Sequence, residues 1–335
     1  MKAINKLLDA IRHRKIGYWI TREVFRFFEK RRIDVQHFAS SYIFDNRQIG
    51  CENLLLVILG FQPEYWEVVL NRVKHNVTLF SEKIDVCLCV PSGMSEDVLG
   101  KVRQLAEYYN FSSLYIYDDL LAQVQNTAIQ LHPHAQWIYK IDEDIIISDN
   151  YFQKLKQAYC RVQEESYYPI GFISPLLNVN AGGFRIFLQT IGKWDEFKSQ
   201  YPHQHYWSVL GEEDIIHRNT SAALYIWQQS VPFDKIAAII EEKNKGRYSI
   251  CPIRMSIGAI LFTRKRWEEW GFFDVKGIGA MGAEEAQICA YTINIMQTIV
   301  IAEDTFAGHL GFYHQKDVCK NFFKKHMNDL KHTQV

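Results

Sequence analysis

The chain has no apolar run that could span a membrane. Its longest purely apolar stretch, Leu54–Leu59, falls far short of the ~20 residues a transmembrane helix takes. It has no CxxC pair, and its seven cysteines are an odd number, so neither a disulfide framework nor a zinc ribbon is expected. Cys87 and Cys89 lie inside an apolar run and read as reduced, buried thiols of a cytosolic protein. No sign of charge is in excess, since 38 basic and 38 acidic residues balance to zero. That argues against nucleic acid as a partner. GxSxG, HExxH and Walker patterns are missing, as are internal repeats and low-complexity linkers. What is there is an ordinary globular composition, 48% hydrophobic and 23% charged over 335 residues. This is room for one large α/β domain with an appendage, or for two domains of usual size.

Charge is uneven along the chain. Met1 to Asp34 holds ten Lys/Arg against four Asp/Glu, and Ile16, Ile20, Val24, Phe27 and Phe28 recur at helical spacing. A basic amphipathic helical segment is expected over residues 1–49. It either caps the main domain or, through residues 1–32, touches anionic lipid at the inner face of a membrane. No continuous apolar core marks it as a secretory signal.

From Gly50 onward the pattern alternates strand and helix. Strands are expected at Asn53–Phe61, Ile84–Val90, Ser113–Tyr117 and Gln136–Ile141, with helices over 62–73, from Ser95 to Tyr109 and from Leu120 to Leu131. Repeated β-α units imply an α/β fold with a mostly parallel central sheet flanked by helices. In such sheets ligands bind beyond the carboxyl ends of the strands. Residues 185–250 break the rhythm, are rich in Trp, Tyr, His and Gln, and read as a helical insert. After it come a strand at Met255–Phe262, helices at Arg264–Trp270 and Glu284–Ile295, a last strand at Thr298–Ala302 and a C-terminal helix over Val318–Leu330. The organisation is thus 1–49, a main domain over 50–315, and a C-terminal helix in 316–335.

The strongest chemical signal is Asp142-Glu143-Asp144 at the end of the fourth strand. Alternation places Asp142 and Asp144 on one face and turns Glu143 away. Two carboxylates so placed repel unless a cation sits between them, and hard oxygen ligands suit Mg²⁺ or Mn²⁺. Glu284 and Glu285 open a helix, where the dipole favours the ionised carboxylate that a general base must be. By position at strand ends, Phe61, Gln62, Ser92, Asp118 and Asp119 are candidate nucleobase contacts, and the segment from Ser174 to Gly183 a candidate lining for a donor pocket. Gly277 to Gly282 fits GxGxxG, but no strand precedes it, so it is not a dinucleotide fingerprint. His132, His134, His203 and His205 have ligand-like spacing without acidic or thiol partners and are set aside.

These motifs resemble the GT-A glycosyltransferases, the nucleotide-diphospho-sugar transferase fold, especially inverting enzymes of a family 2-like type. The likeness runs from about Asn53 to Gly311, outside most of the insert. Asp142-Glu143-Asp144 looks like their DxD motif, which implies Asp142 and Asp144 as metal ligands and Asp142 and Glu143 on the donor diphosphate. Gln125-Asn126 stands where that family often has Arg-Asn, which implies Asn126 as a donor contact, with Gln125 replacing the Arg. Ser256 to Arg264 and Trp270 to Asp274 are similar to the acceptor-side strand, helix and turn. Glu284-Glu285 stands at "GEDxxL", which implies Glu285 as catalytic base and Glu284 as the group that orients the acceptor. His309, after the last strand, is the implied third metal ligand, with His314 as its rival. The resemblance implies a Mn²⁺- or Mg²⁺-dependent transfer, with inversion, from a nucleotide sugar (a UDP-sugar favoured) to a glycan or lipid-linked acceptor. Surface polysaccharide synthesis on the cytoplasmic side is the expected setting. A sugar-phosphate nucleotidyltransferase is the rival enzyme, though Gly60 to Pro63 lacks the Gly-rich basic loop it would need. A catalytically inactive scaffold that binds glycan is the rival of another class.

Overall fold

A computed structural model describes residues 36–117, 121–180, 182–202, 215–252, 254–275, 283–311 and 315–331. The expected basic helix over 1–32, Asp118, Asp119, the glycine loop before Glu284, His203, His205 and His314 lie outside the described residues.

The first part of the chain builds the β-α units that the periodicity predicts. A short strand β1 (Tyr42–Asp45) precedes β2 (Asn53–Ile58), α1 (Trp66–Leu79), β3 (Ile84–Val90), α2 (Glu96–Tyr109), β4 (Ser112–Ile116), α3 (Leu121–Leu131) and β5 (Trp137–Asp142). Every residue of β2 and β3 is buried, as continuous apolar strands covered on both faces must be. The start of α2 is set by Ser95, whose hydroxyl accepts from the Val98 amide at 3.4 Å, and its end by Asn110 at φ 57°, the left-handed cap that asparagine tolerates.

The second part adds β6 (Ile145–Ile147), α4 (Tyr151–Glu165) and β7 (Ile170–Leu177). The insert is helical, with α5 (Gly183–Thr190), α6 (Trp194–Gln200), α7 (Ile215–Arg218), α8 (Thr220–Gln229) and α9 (Phe233–Lys243). It returns through β8 (Tyr248–Ile250) to β9 (Ala259–Thr263), α10 (Arg264–Glu269), α11 (Ala283–Asn294), β10 (Thr298–His309) and α12 (Lys316–Leu330). None of the described helices is long and apolar enough to cross a membrane.

The strands among the described residues join one ten-stranded sheet in the order β1-β4-β3-β2-β5-β9-β7-β10-β6, with β8 against β10. The sheet is mixed, with β2, β3, β4, β5, β7 and β10 running in one direction and β1, β6, β8 and β9 against them. The parallel run β4-β3-β2-β5 ends where β9 enters antiparallel between β5 and β7. β7 and β10 are parallel again, whereas β1, β6 and β8 pair antiparallel. Since β9 opposes both β5 and β7, the carboxyl ends of β2, β3, β5, β7 and β10 all lie at one end of the sheet.

Three strands differ from expectation by three residues or more: β2 ends at Ile58 rather than Phe61, and two others differ for visible reasons. The strand expected from Met255 begins only at Ala259, because the backbone of Ser256 and Ile257 is claimed by side chains. Asn180 Oδ1 accepts from Ser256 N at 3.2 Å, and Glu285 Oε2 from Ile257 N at 3.3 Å. The strand expected to stop at Ala302 runs on to His309, across a register shift between Ala302 and Phe306. That irregularity absorbs the polar residues Glu303 to Thr305, which read as a strand end.

A buried Arg72 ties the halves together. Its guanidinium donates to Asp234 at 2.8 and 3.2 Å, to Ile147 O at 3.2 Å and to Leu330 O. It joins α1, β6, α9 and α12 through one side chain.

Candidate active site at the carboxyl ends of the strands

β5 ends at Asp142, and Glu143 and Asp144 form the turn to β6. Glu143 goes inward. Its carboxylate accepts from Gly60 N at 2.9 Å, Phe61 N at 2.8 Å and Trp66 Nε1 at 2.5 Å. Burial pushes its pKa up against these donors. Glu143 was expected on the donor diphosphate; with both oxygens engaged inside the protein it instead pins the turn between β2 and α1. The same tie explains why α1 starts at Trp66 rather than Gln62. Phe61, held at this turn, is 57% exposed.

Asp142, at the end of β5, has a side chain 34% exposed, and Asp144 is buried. Asp142 Oδ1 accepts from Lys140 Nζ at 2.5 Å, and Asp142 Oδ2 lies beside Gly258. Burial raises the Asp142 pKa, with Lys140 opposing and Asp144 adding to the rise. Asp144 Oδ2 stands 3.5 Å from His309 Nε2 and accepts from Gln62 Nε2 at 3.4 Å. Gln62, expected at a nucleobase, thus reaches back to the acidic turn.

His309 is set by its backbone. Its N–H donates to Asn178 Oδ1 and its carbonyl accepts from Trp227 Nε1, each at 2.9 Å, while Leu310 N donates to Asp144 O at 3.0 Å. The residue before it must be glycine, since a Cβ on Gly308 would lie 2.5 Å from Cη2 of Trp227. Burial alone would lower the His309 pKa, but Asp144 and then Asp142 outweigh it and push it up.

Across from the acidic turn, α11 presents Glu284 and Glu285. Glu285 accepts from Arg254 Nε at 2.7 Å and from the Ile257 amide. Burial raises its pKa, and Arg254 works against that rise. Burial raises Glu284 as well; Lys140 lowers it while Asp142 and Glu285 add to the increase. Carboxylates from the turn and from α11 are therefore in electrostatic contact at one place, with Lys140, Arg254 and His309 as their counter-charges.

Ser92 sits half-buried after β3. Asn126 does not reach the site. Its amide donates to His37 O and Phe273 O at 3.0 and 2.9 Å and accepts from Trp267 Nε1 and Phe273 N, both at 2.9 Å. With every polar atom used, it braces α10 and the following turn, and the expected donor contact is corrected to a packing role. Asn178 and Asn180, expected to line a donor pocket, are buried and act as braces for His309 and Ser256. Lys140 and Arg254 are the site residues that sequence reasoning missed. Only Lys140 had a usable signal, its place two residues before Asp142 on the same strand face.

The donor set suits a hard divalent cation with some tolerance for nitrogen, as Mn²⁺ has. Ligands about 2.1 Å from an octahedral ion lie about 3 Å from one another, close to the 3.5 Å between Asp144 and His309. Among the described residues, no three His, Cys, Asp or Glu side chains are already gathered around one point, because Asp142 is turned to Lys140.

No protein-family model matches the chain, and no curated protein matches it. Among solved structures, it is similar to GalNAc-T7 with UDP, GalNAc and Mn²⁺, at 13% identity and a TM-score of 0.48, over 78% of this chain. The chain spans only 44% of the length of that protein. It is also similar to the mannosyltransferase PcManGT from Pyrobaculum calidifontis in complex with GDP-Man and Mn²⁺, at 14% identity and a TM-score of 0.45. That likeness covers 99% of this chain and 77% of the other.

Proposed function

We propose that the protein is a GT-A glycosyltransferase that moves a sugar from a nucleoside diphosphate donor to a hydroxyl acceptor, with inversion. The observation that carries the reading is the meeting of Asp144 with His309 at 3.5 Å, beside Asp142 and opposite the Glu284–Glu285 pair. Residues far apart in the chain supply the hard ligands and the base such a transfer needs, at the sheet end where ligands of α/β folds bind.

Asp142, Asp144 and His309 would hold Mn²⁺ or Mg²⁺, which when bound neutralises charge on the leaving diphosphate. Glu285 takes the proton of the acceptor hydroxyl as its oxygen attacks the anomeric carbon. The bond from that carbon to the diphosphate oxygen breaks in the same displacement, which inverts the centre. Arg254 favours the ionised form of Glu285 against burial, as a base requires. Glu284 orients the acceptor. Phe61 stacks on the nucleobase from its exposed position, with Ser92 at a neighbouring strand end; by sequence, Asp118 and Asp119 are further candidates for that contact. A UDP-sugar is the favoured donor, and a glycan or lipid-linked sugar of a surface polysaccharide the acceptor. The basic residues 1–32 hold the enzyme at the cytoplasmic face of a membrane.

Calorimetry with UDP or GDP and Mn²⁺, followed by NMR of the transferred sugar, tests this reading. Asp144→Ala should abolish the metal-dependent affinity and leave the fold intact. Unchanged affinity in that variant, or a product that keeps the donor's anomeric configuration, would overturn it.

A further inference from the structure

Lys140 stands in an unusual place for a lysine. Its side chain is 3% exposed, on a strand whose next residue of the same face is Asp142. Its Nζ donates to Asp142 Oδ1 at 2.5 Å and to Ile257 O at 2.9 Å. It is also near enough to favour the ionised forms of Glu284 and Glu285. A buried ammonium persists only where it is paired and hydrogen-bonded, and here its ion-pair partner is a carboxylate assigned above to the metal.

The other two resident counter-charges differ in kind. Arg254 binds Glu285, which is not a metal ligand, and His309 is itself a nitrogen ligand of the proposed ion. Lys140 alone, among the described residues, sets a fixed positive charge on a metal-binding carboxylate. That charge has two opposed effects. It makes a pocket of several carboxylates tolerable before any cation arrives. It also repels the arriving cation and holds one oxygen of Asp142 away from it.

Building on the metal site of the glycosyltransferase reading, we propose that Lys140 is a tethered counter-ion that competes with the divalent cation for Asp142, so that the site binds free metal weakly and retains it only together with the nucleotide. The nucleotide resolves the competition by its own charge. A diphosphate brings negative oxygens that both the metal and Lys140 can face, so the complex of metal and nucleotide meets less repulsion than the bare ion does.

The experiment is a Mn²⁺ titration of the full chain, by electron paramagnetic resonance of the free ion, without nucleotide and then with saturating UDP. In the wild type, UDP should tighten Mn²⁺ binding strongly. Lys140→Met should bind Mn²⁺ alone about ten-fold more tightly, a conservative figure for one charge removed next to a divalent ion, and should lose most of the gain from UDP. Lys140→Arg, which keeps the charge, should behave as the wild type. The sign separates this role from a structural one, because a damaged site binds metal less tightly. Lys140→Gln, which keeps a donor for Ile257 O without the charge, gives the same comparison should the methionine variant not fold. Equal or weaker Mn²⁺ binding in the uncharged variants overturns the proposal while leaving the metal site standing. A wild type that binds no Mn²⁺, with UDP or without, overturns the metal site and the counter-ion together.

Discussion

At the scale of single residues, the site is a set of carboxylates with different tasks imposed by their neighbours. Glu143 faces three protein donors and braces a turn; Asp144 faces an imidazole; Glu285 faces a guanidinium. If Glu285 is the base, Glu285→Gln keeps its shape and removes its basicity. Its kcat should then fall by ~10²–10⁴, the usual loss for a positioned base, with donor affinity retained. Glu284→Gln should instead raise the acceptor KM, so steady-state kinetics of the two variants side by side assign the roles. Arg254→Met removes the charge that opposes burial at Glu285. The acid limb of the kcat/KM profile should move to higher pH in that variant, and a limb that stays put or moves down contradicts the pairing. Of these residues, the acidic triplet and the glutamate pair stood out in the sequence, by their places at a strand end and at a helix start. Their partners did not. Nothing in the spacing ties Arg254 to Glu285 or Asn178 to His309, since the first contact depends on how the loop after the insert folds back and the second on the pairing of β7 with β10.

At the scale of elements, the β2–α1 turn depends on a residue from another strand. Glu143→Gln leaves one oxygen to serve the amides of Gly60 and Phe61 and the indole of Trp66, so at least one buried donor loses its acceptor. Chemical denaturation should register a loss of about 1–3 kcal/mol. UDP affinity should drop as well, since the turn that displays Phe61 loosens. A stability loss with unchanged UDP affinity would remove Phe61 from the donor site. The β-α units up to β5 were legible because each apolar run and cap is local; Ser95 and Asn110 mark α2 by themselves. β1, β6 and β8 were not seen. They are three or four residues long, too short for periodicity to show. The antiparallel entry of β9 was equally hidden, because strand direction is fixed by where the insert returns the chain and not by the residues of the strand.

At the scale of the whole molecule, charge burial sets how stability responds to pH. Burial raises the pKa of Glu143, Glu284 and Glu285, so the folded chain holds protons there that the unfolded chain has released. The stability they allow is present below the ordinary glutamate value and is lost as pH rises through the raised values. His309, raised by Asp144 and Asp142, acts in the same direction above its ordinary value, whereas His132, lowered by burial, opposes it. Glu64, Glu67 and Glu82 are lowered, as their ion pairs with Lys320, Lys331 and Lys156 overcome what burial opposes. Their contribution is present above the ordinary value and fades in stronger acid. Metal-free protein followed by thermal melts should therefore gain stability as pH falls from neutral toward the ordinary glutamate range and lose it again in stronger acid. A melting temperature that falls steadily from neutral pH downward would contradict the burial of these carboxylates.

The place of β9 also bears on how the molecule is made. A ribosome delivers β2, β3, β4 and β5 in succession, and these can pair as they emerge. The open flank of β5 then waits, unpaired, until residues 143–258 have followed and β9 has arrived to cover it. At ~5–20 residues per second that wait is on the order of ten seconds. During it the nascent chain displays a free apolar strand edge, the kind of surface that invites pairing with a neighbouring chain. The wait lengthens as translation slows, so yield from a crowded synthesis should fall when translation alone is slowed and recover when fewer chains are made at once.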